Sequence, residues 1–185
     1  MEIVRLLAEG GATLVQVREK GMADRDLAQA VRECLAVKGV RIIVNDRPDI
    51  ARVTGAAGVH LGEDDLPAPD ARALLARKAI VGVSTHSVEA AVAACALDVD
   101  YIAIGPVFET ASASVRRSPL GIAAVARAAD CMTRPLVAIG GITLDRAADV
   151  LAAGASSVAV ISDLLTAPSI PDRVRAFLSL GRATR

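Results

Sequence analysis

The chain has 185 residues, 21 basic and 21 acidic side chains, a formal net charge of zero and 53% hydrophobic residues. That length suits one domain and allows about 70% of the unfolded chain's surface to be buried without a metal or disulfide staple. The apolar content excludes a disordered chain, and the balanced charge with only three aromatics, Tyr101, Phe108 and Phe177, argues against a nucleic-acid-binding surface.

The first predicted element is a helix over residues 2–7, whose Glu2 and Arg5 exclude a signal-peptide core. Apolar runs then follow at residues 12–17, 40–44, 58–61, 79–83, 101–104, 136–139 and 157–161. They are short, mostly rich in Val and Ile, and lack sustained polar alternation, as strands covered on both faces do. Between them lie helical patterns at 24–37, 47–54, 68–78, 87–97, 121–129 and 145–153, and a last one at 171–180. Several begin at Asp or Ser, which cap helix N-termini. Gly11, Gly55 and Gly154 each precede an Ala where a helix should stop before a strand. Cys34, Cys95 and Cys131 have neither disulfide-framework nor zinc-site spacing and are expected to be buried reduced thiols. No apolar stretch approaches the roughly 20 residues of a membrane span, so no membrane partner is expected and the cytoplasm is the expected location.

Regular alternation of strand and helix implies a parallel sheet with right-handed crossovers. The Gly-rich fingerprint that an open dinucleotide-binding sheet carries after its first strand is absent. The expected fold is therefore an α/β (β/α)8 TIM barrel, with residues 1–185 as a single domain. Only seven strands are counted against eight helices, and the first helix has no strand before it, so the first barrel strand is expected to be missing from this chain. The open seam that this leaves would invite pairing with a second copy.

Barrel chemistry belongs at the carboxyl ends of the strands. After the first run stand Gln16, Arg18 and Lys20, which alternation places on one side as an anion clamp, unless they are simply a solvated strand end. The second run leads into Asn45-Asp46-Arg47 and the third into Glu63-Asp64-Asp65. Carboxylates on two adjacent strand ends, near two cations, suit Mg2+ bridging to a phosphate; helix capping by Asp64 or Asp65 and pairing of Asp46 with Arg18 or Arg47 are the alternatives. The fourth run leads into Ser84-Thr85-His86-Ser87, with Ser87 as a helix N-cap and Ser84 as a donor to an anion. His60 and His86 form no recognisable triad and are expected to be buried or capping. The last two runs lead into Gly140-Gly141-Ile142-Thr143 and Ser162-Asp163, the place where barrels commonly bind phosphate with backbone N–H groups.

In chain order, the segments GATLVQVREKG, VNDRPD, GAAGVHLGEDDLP, VGVSTHS, DYIAIGPVF, PLG, VAIGGIT and AGASSVAVIS resemble the thiamine phosphate synthase family over about residues 10–165. The resemblance implies a Mg2+-dependent transferase acting on two small phosphorylated substrates. Hydroxymethylpyrimidine diphosphate loses pyrophosphate through a pyrimidine carbocation, and the nitrogen of hydroxyethylthiazole phosphate attacks the methylene carbon. By matching position, Gln16, Arg18 and Lys20 would hold the diphosphate, Asp46 and Asp65 the Mg2+, and Asn45 the pyrimidine side. Ser84 would lie near the leaving pyrophosphate, Thr110 and Ser112 near the thiazole, and Gly141, Ile161 and Ser162 at the thiazole phosphate. Arg18, Lys20 and Ser84 would carry the catalytic burden.

Three departures stand out. Glu63 replaces the family's usual Gln, the loop after Phe108 has Ala113 near the family's lysine, and the family's opening strand is expected to be missing; Arg116 or Arg117 is the candidate substitute cation. Two other readings accompany the synthase. One is a thiazole tautomerase of the same family, which would carry His where Pro106 stands, and the other is a catalytically impaired barrel that only binds a phosphate ligand.

Overall fold

The computed structural model describes residues 1–110 and 117–183. Seven strands, β1 (Leu14–Val17), β2 (Arg41–Asn45), β3 (Gly58–Leu61), β4 (Ile80–Thr85), β5 (Tyr101–Ile104), β6 (Leu136–Ile139) and β7 (Ser157–Ala159), form one sheet in chain order. Every neighbouring pair is parallel, and each step between strands carries a helix, so the predicted α/β alternation and the count of seven strands both hold. The helices are α1 (Glu2–Glu9), α2 (Asp24–Leu35), α3 (Pro48–Thr54), α4 (Ala68–Leu74), α5 (Val88–Ala94), α6 (Ile122–Ala129), α7 (Leu144–Ala152), α8 (Ser162–Leu165) and α9 (Ile170–Ala183).

Register decides which side chains share a face. Ile42, Val44, Val59, Leu61, Val81, Val83, Ile102, Ile104, Leu136 and Ala138 all point toward the helices and join a single buried cluster with Leu27, Val31, Ile50, Val125 and Val150. Full burial of each large aliphatic side chain contributes about 1.5–3 kcal/mol. The opposite face carries Gln16 and Ile43, then Asn45 and His60, then Gly82, Ser84, Tyr101 and Ala103, paired across neighbouring strands. Ile43 and Ala103 are buried there but belong to a separate layer from the helix-facing cluster. The polar residues of this inner face are the ones the fold makes available for chemistry.

Several local expectations hold. Gly11, Gly55 and Gly154 all have positive φ, and Gly55 closes α3 in the left-handed region with its N–H donating to Ala51 O. Ser87 caps α5, its hydroxyl accepting from the Ala90 N–H at 3.0 Å.

Others change. The predicted run 79–83 ends two residues later, because Thr85 pairs with Ile104 and its hydroxyl donates to Ala103 O at 2.9 Å. The run 157–161 yields a strand only to Ala159, since Ile161 turns the chain into α8, a four-residue helix too short to show a hydrophobic period. Among the described residues there are therefore nine helices rather than eight. The cysteines are free as expected, but only Cys34 is buried; Cys95 is half-buried and Cys131 is exposed at the end of α6. Helix α6 stops at Ala129, so Cys131 falls in the turn that follows it.

Candidate active site at the strand ends

Of the residues singled out in the sequence, Gln16, Arg18, Lys20, Asn45, Asp46, Asp65 and Ser84 lie in or just after β1 to β4. Asp46 follows β2 with φ 63°, in the left-handed region that Asp tolerates better than most side chains. Its N–H donates to His60 O at 2.8 Å, extending the ladder between β2 and β3 and aiming the carboxylate toward the β3 loop. There the Asp65 carboxylate accepts the Gly62 N–H at 2.6 Å, so the loop after β3 folds back on itself. Helix α4 instead starts at Pro67 without a side-chain cap, so Asp65 is not spent on capping.

The two carboxyl groups meet. Burial, the hydrogen bond to Asp65 and the charge of Asp65 push the Asp46 carboxyl up to about 6, while Lys20 and Arg18 pull it back. Lys20 Nζ stands 4.0 Å from Asp46 Oδ2. Arg47 takes no part: it is clamped by Asp24 at 2.5 Å and Asp49 at 2.6 Å. Asn45, Asp46 and Lys20 line a cavity of about 300 Å3 beside Val17 and Met22. Gln16 is exposed on the same inner face at the β1 edge.

This donor set fits Mg2+. The ion takes one or two carboxylates, keeps waters and completes its octahedron with substrate oxygens. Among the described residues no group of three or more His, Cys, Asp or Glu converges, so an all-protein cage is not what these side chains build.

On the other side of the mouth, the loop after β5 runs along the loop after β6. The Val107 N–H donates to Ile139 O at 2.9 Å and the Phe108 N–H to Gly140 O at 3.0 Å. Gly141 has φ 63°, and a Cβ there would collide with the Glu109 carbonyl oxygen and lie 2.9 Å from Phe108 Cβ. Only glycine fits, and its backbone therefore lies beside the segment that leads into Thr110. Arg146 lies over the Phe108 ring, 4.7 Å from its centroid, and donates to Gly141 O at 3.1 Å, bracing the same turn. Ile161 and Ser162 start α8 and are exposed. Ser112, with Ala113 and Arg116, lies outside the described residues.

Two features were not foreseen. Arg117 donates to Glu63 at 2.9 Å, so the extra carboxylate on the β3 loop is matched by a cation from the segment leading to α6. Tyr101 was not among the candidate residues, yet its hydroxyl lies 2.7 Å from His60 Nδ1, and His60 Nε2 lies 2.8 Å from Ser84 Oγ. The Tyr101 and His60 rings stack at 5.5 Å. The signal in the sequence was Gly82: a Cβ there would fall inside the Tyr101 ring, so the glycine makes room for it. His60 is buried, as expected, and burial lowers it to about 4. His86 is held by Gly105 O at 2.6 Å and does not join this cluster.

The family model described as thiamine monophosphate synthase matches residues 1–164. The chain belongs to that family. Among curated members, the thiamine-phosphate synthase of Methanoculleus marisnigri is 44% identical over 191 residues, covering 98% of this chain and 90% of the relative. That of Anaeromyxobacter dehalogenans is 43% identical, covering 95% of this chain and 82% of the relative. Among solved structures, the thiamine phosphate pyrophosphorylase of Pyrococcus furiosus superposes with a TM-score of 0.87 at 31% identity, covering 98% of this chain and 89% of that one. The likeness to a geranylgeranylglyceryl phosphate synthase of Thermoplasma acidophilum, with a TM-score of 0.76 at 12% identity, is one of fold alone. No helix among the described residues is long and apolar enough to cross a membrane.

Proposed function

We propose that this member of the thiamine monophosphate synthase family is a transferase that joins hydroxymethylpyrimidine diphosphate to hydroxyethylthiazole phosphate, giving thiamine phosphate and pyrophosphate. The observation that carries this reading is the meeting of the Asp46 and Asp65 carboxylates beside Lys20, at the ends of two adjacent strands. With both groups ionised, such a pair repels itself unless a cation stands between, and a diphosphate leaving group needs that cation.

Bound there by Asp46 and Asp65, Mg2+ would neutralise the charge that builds on the departing diphosphate. Arg18 and Lys20 hold the diphosphate oxygens, with Gln16 donating beside them, and Asn45 orients the pyrimidine from the inner face of β2. The bond between the methylene carbon and the diphosphate oxygen breaks with its electron pair leaving on oxygen, and the thiazole nitrogen then supplies the pair for the new bond. Ser84 donates to the leaving group. Opposite, Gly141, Ile161 and Ser162 hold the thiazole phosphate, and Thr110 flanks the ring. Charge neutralisation of this kind needs no strong base or nucleophile from the protein.

The relatives carry the synthase name, and neither the tautomerase nor the binding-only reading has an observation of its own in support. The test is a coupling assay with both substrates and Mg2+. Thiamine phosphate and pyrophosphate formed in equal amounts support the reading, and their absence from a folded preparation overturns it. We infer that the protein works in an aqueous compartment on small phosphorylated substrates, without nucleic acid or membrane.

A further inference from the structure

The mechanism above uses Ser84 but leaves His60 and Tyr101 without a part, although both sit directly behind it. Their hydrogen bonds have a direction. Tyr101 is half-buried on the inner face, and His60 Nδ1 is the partner its hydroxyl has among the described residues. If Nδ1 donated to the phenol, the phenolic proton would lose its acceptor inside the protein, which is the costly arrangement. The phenol therefore donates to Nδ1. A neutral imidazole has one N–H, so that proton sits on Nε2 and donates to Ser84 Oγ at 2.8 Å. With its oxygen already accepting from His60, the Ser84 hydroxyl directs its own proton away from the histidine. The opposite polarity would have Ser84 donating to His60, an arrangement that would spend the proton internally.

We propose that Tyr101 and His60 are positioning residues that fix Ser84 as a hydrogen-bond donor to the diphosphate leaving group. The proposal rests on the assignment of Ser84 to the diphosphate side made above. Gly82 belongs to the device, because any side chain there would displace the Tyr101 ring from its stack on His60.

The chain has two histidines, so a long-range proton–nitrogen spectrum of the imidazoles reads each tautomer directly. His86 supplies an internal contrast: its Nδ1 faces the Gly105 carbonyl oxygen, which only accepts, so Nδ1 must carry the proton there. The expected spectrum shows His60 protonated on Nε2 and His86 on Nδ1, with His60 assigned from its loss in His60→Gln. His60 protonated on Nδ1 overturns the proposal.

The second arm is kinetic. Tyr101→Phe keeps the stacked ring and removes only the donor; it is expected to lower kcat about tenfold, the scale of one hydrogen bond, without changing KM for the thiazole phosphate. Ser84→Ala is expected to lower kcat about 100-fold. In the Ser84→Ala background, Tyr101→Phe should have no further effect, because its influence passes through the hydroxyl already removed. His60→Gln, whose amide can still donate, should retain more activity than His60→Ala. Losses that multiply in the double variant would make Tyr101 a merely structural residue and overturn the proposal.

A third arm separates this proposal from the overall function. Titration with inorganic pyrophosphate and Mg2+ needs no turnover. Weaker binding by Ser84→Ala and by Tyr101→Phe, with the double variant no weaker than Ser84→Ala, supports the relay even if the coupling assay fails. Affinity unchanged by Ser84→Ala overturns it even if the coupling assay succeeds.

Discussion

The guanidinium of Arg117 lies 2.9 Å from the carboxylate of Glu63, tying the segment that enters α6 to the loop after β3. The added negative charge beside the carboxylate pair is thus answered by a positive one. Both side chains are more than a third exposed, so solvent screening keeps the pair's worth to about 0.5 kcal/mol. Glu63→Gln and Arg117→Ala are each expected to lower stability by about that amount, and the double variant by no more than either single one. Chemical denaturation of the four proteins measures the cycle; strictly additive losses would show that the two groups do not interact.

Asp46→Asn and Asp65→Asn are expected to abolish Mg2+-dependent turnover while leaving the circular dichroism spectrum unchanged. Mg2+ at about 100 times its dissociation constant should stabilise the wild-type protein by about 2.7 kcal/mol and raise its Tm. Asp46→Asn should lose that response. It is the cleaner of the two substitutions, because Asp65 also accepts the Gly62 N–H. Near-normal turnover in both variants would remove the metal assignment.

Acid should reveal two opposing groups. His60, lowered to about 4 by burial, holds fewer protons in the folded chain than in the unfolded one, where its value is about 6.5. Its contribution to stability is complete above about 6.5 and is lost as pH falls toward 4, by about 3 kcal/mol at most. Asp46, raised to about 6 against about 3.9 unfolded, holds more protons when folded. Its penalty is absent below about 4 and complete above about 6. Urea unfolding across pH 4 to 7 should therefore show a steeper loss on acidification in Asp46→Asn. His60→Gln should gain stability on acidification relative to wild type. Parallel curves for all three proteins would contradict both assignments.

Two glycines should respond in opposite directions. Gly82→Ala puts a methyl group into the Tyr101 ring and is expected to cost about 1–3 kcal/mol, as overpacking does. Gly181 lies in α9 with open space around the position of a Cβ, so Gly181→Ala should stabilise by about 0.5 kcal/mol. Thermal unfolding reads both signs.

Strand and helix succession was open to sequence reasoning because local periodicity encodes it. Runs such as 58–61, 101–104 and 136–139 keep their predicted bounds in β3, β5 and β6, since each is a short Val- and Ile-rich run or ends at Gly. The ends of β4 and β7 were not, because Thr85 is held by a carbonyl on another strand and Ile161 by a turn of four residues. The family could be recognised for the same reason as the strands: motifs at strand ends lie in fixed order along the chain.

What the sequence alone determined is therefore the parallel α/β alternation, the glycines that end helices, and the polar residue types at each strand end. These depend on neighbours a few positions away. Only the tertiary structure decided which of those groups meet. Asp46 and Asp65 stand 19 positions apart, Glu63 and Arg117 54, and His60 and Tyr101 41, and register and loop path join each pair. The proposed direction of the Tyr101–His60–Ser84 chain rests on a half-buried phenol whose partner among the described residues is the buried His60. Burial is a property of the assembled sheet, and no local pattern in the sequence expresses it.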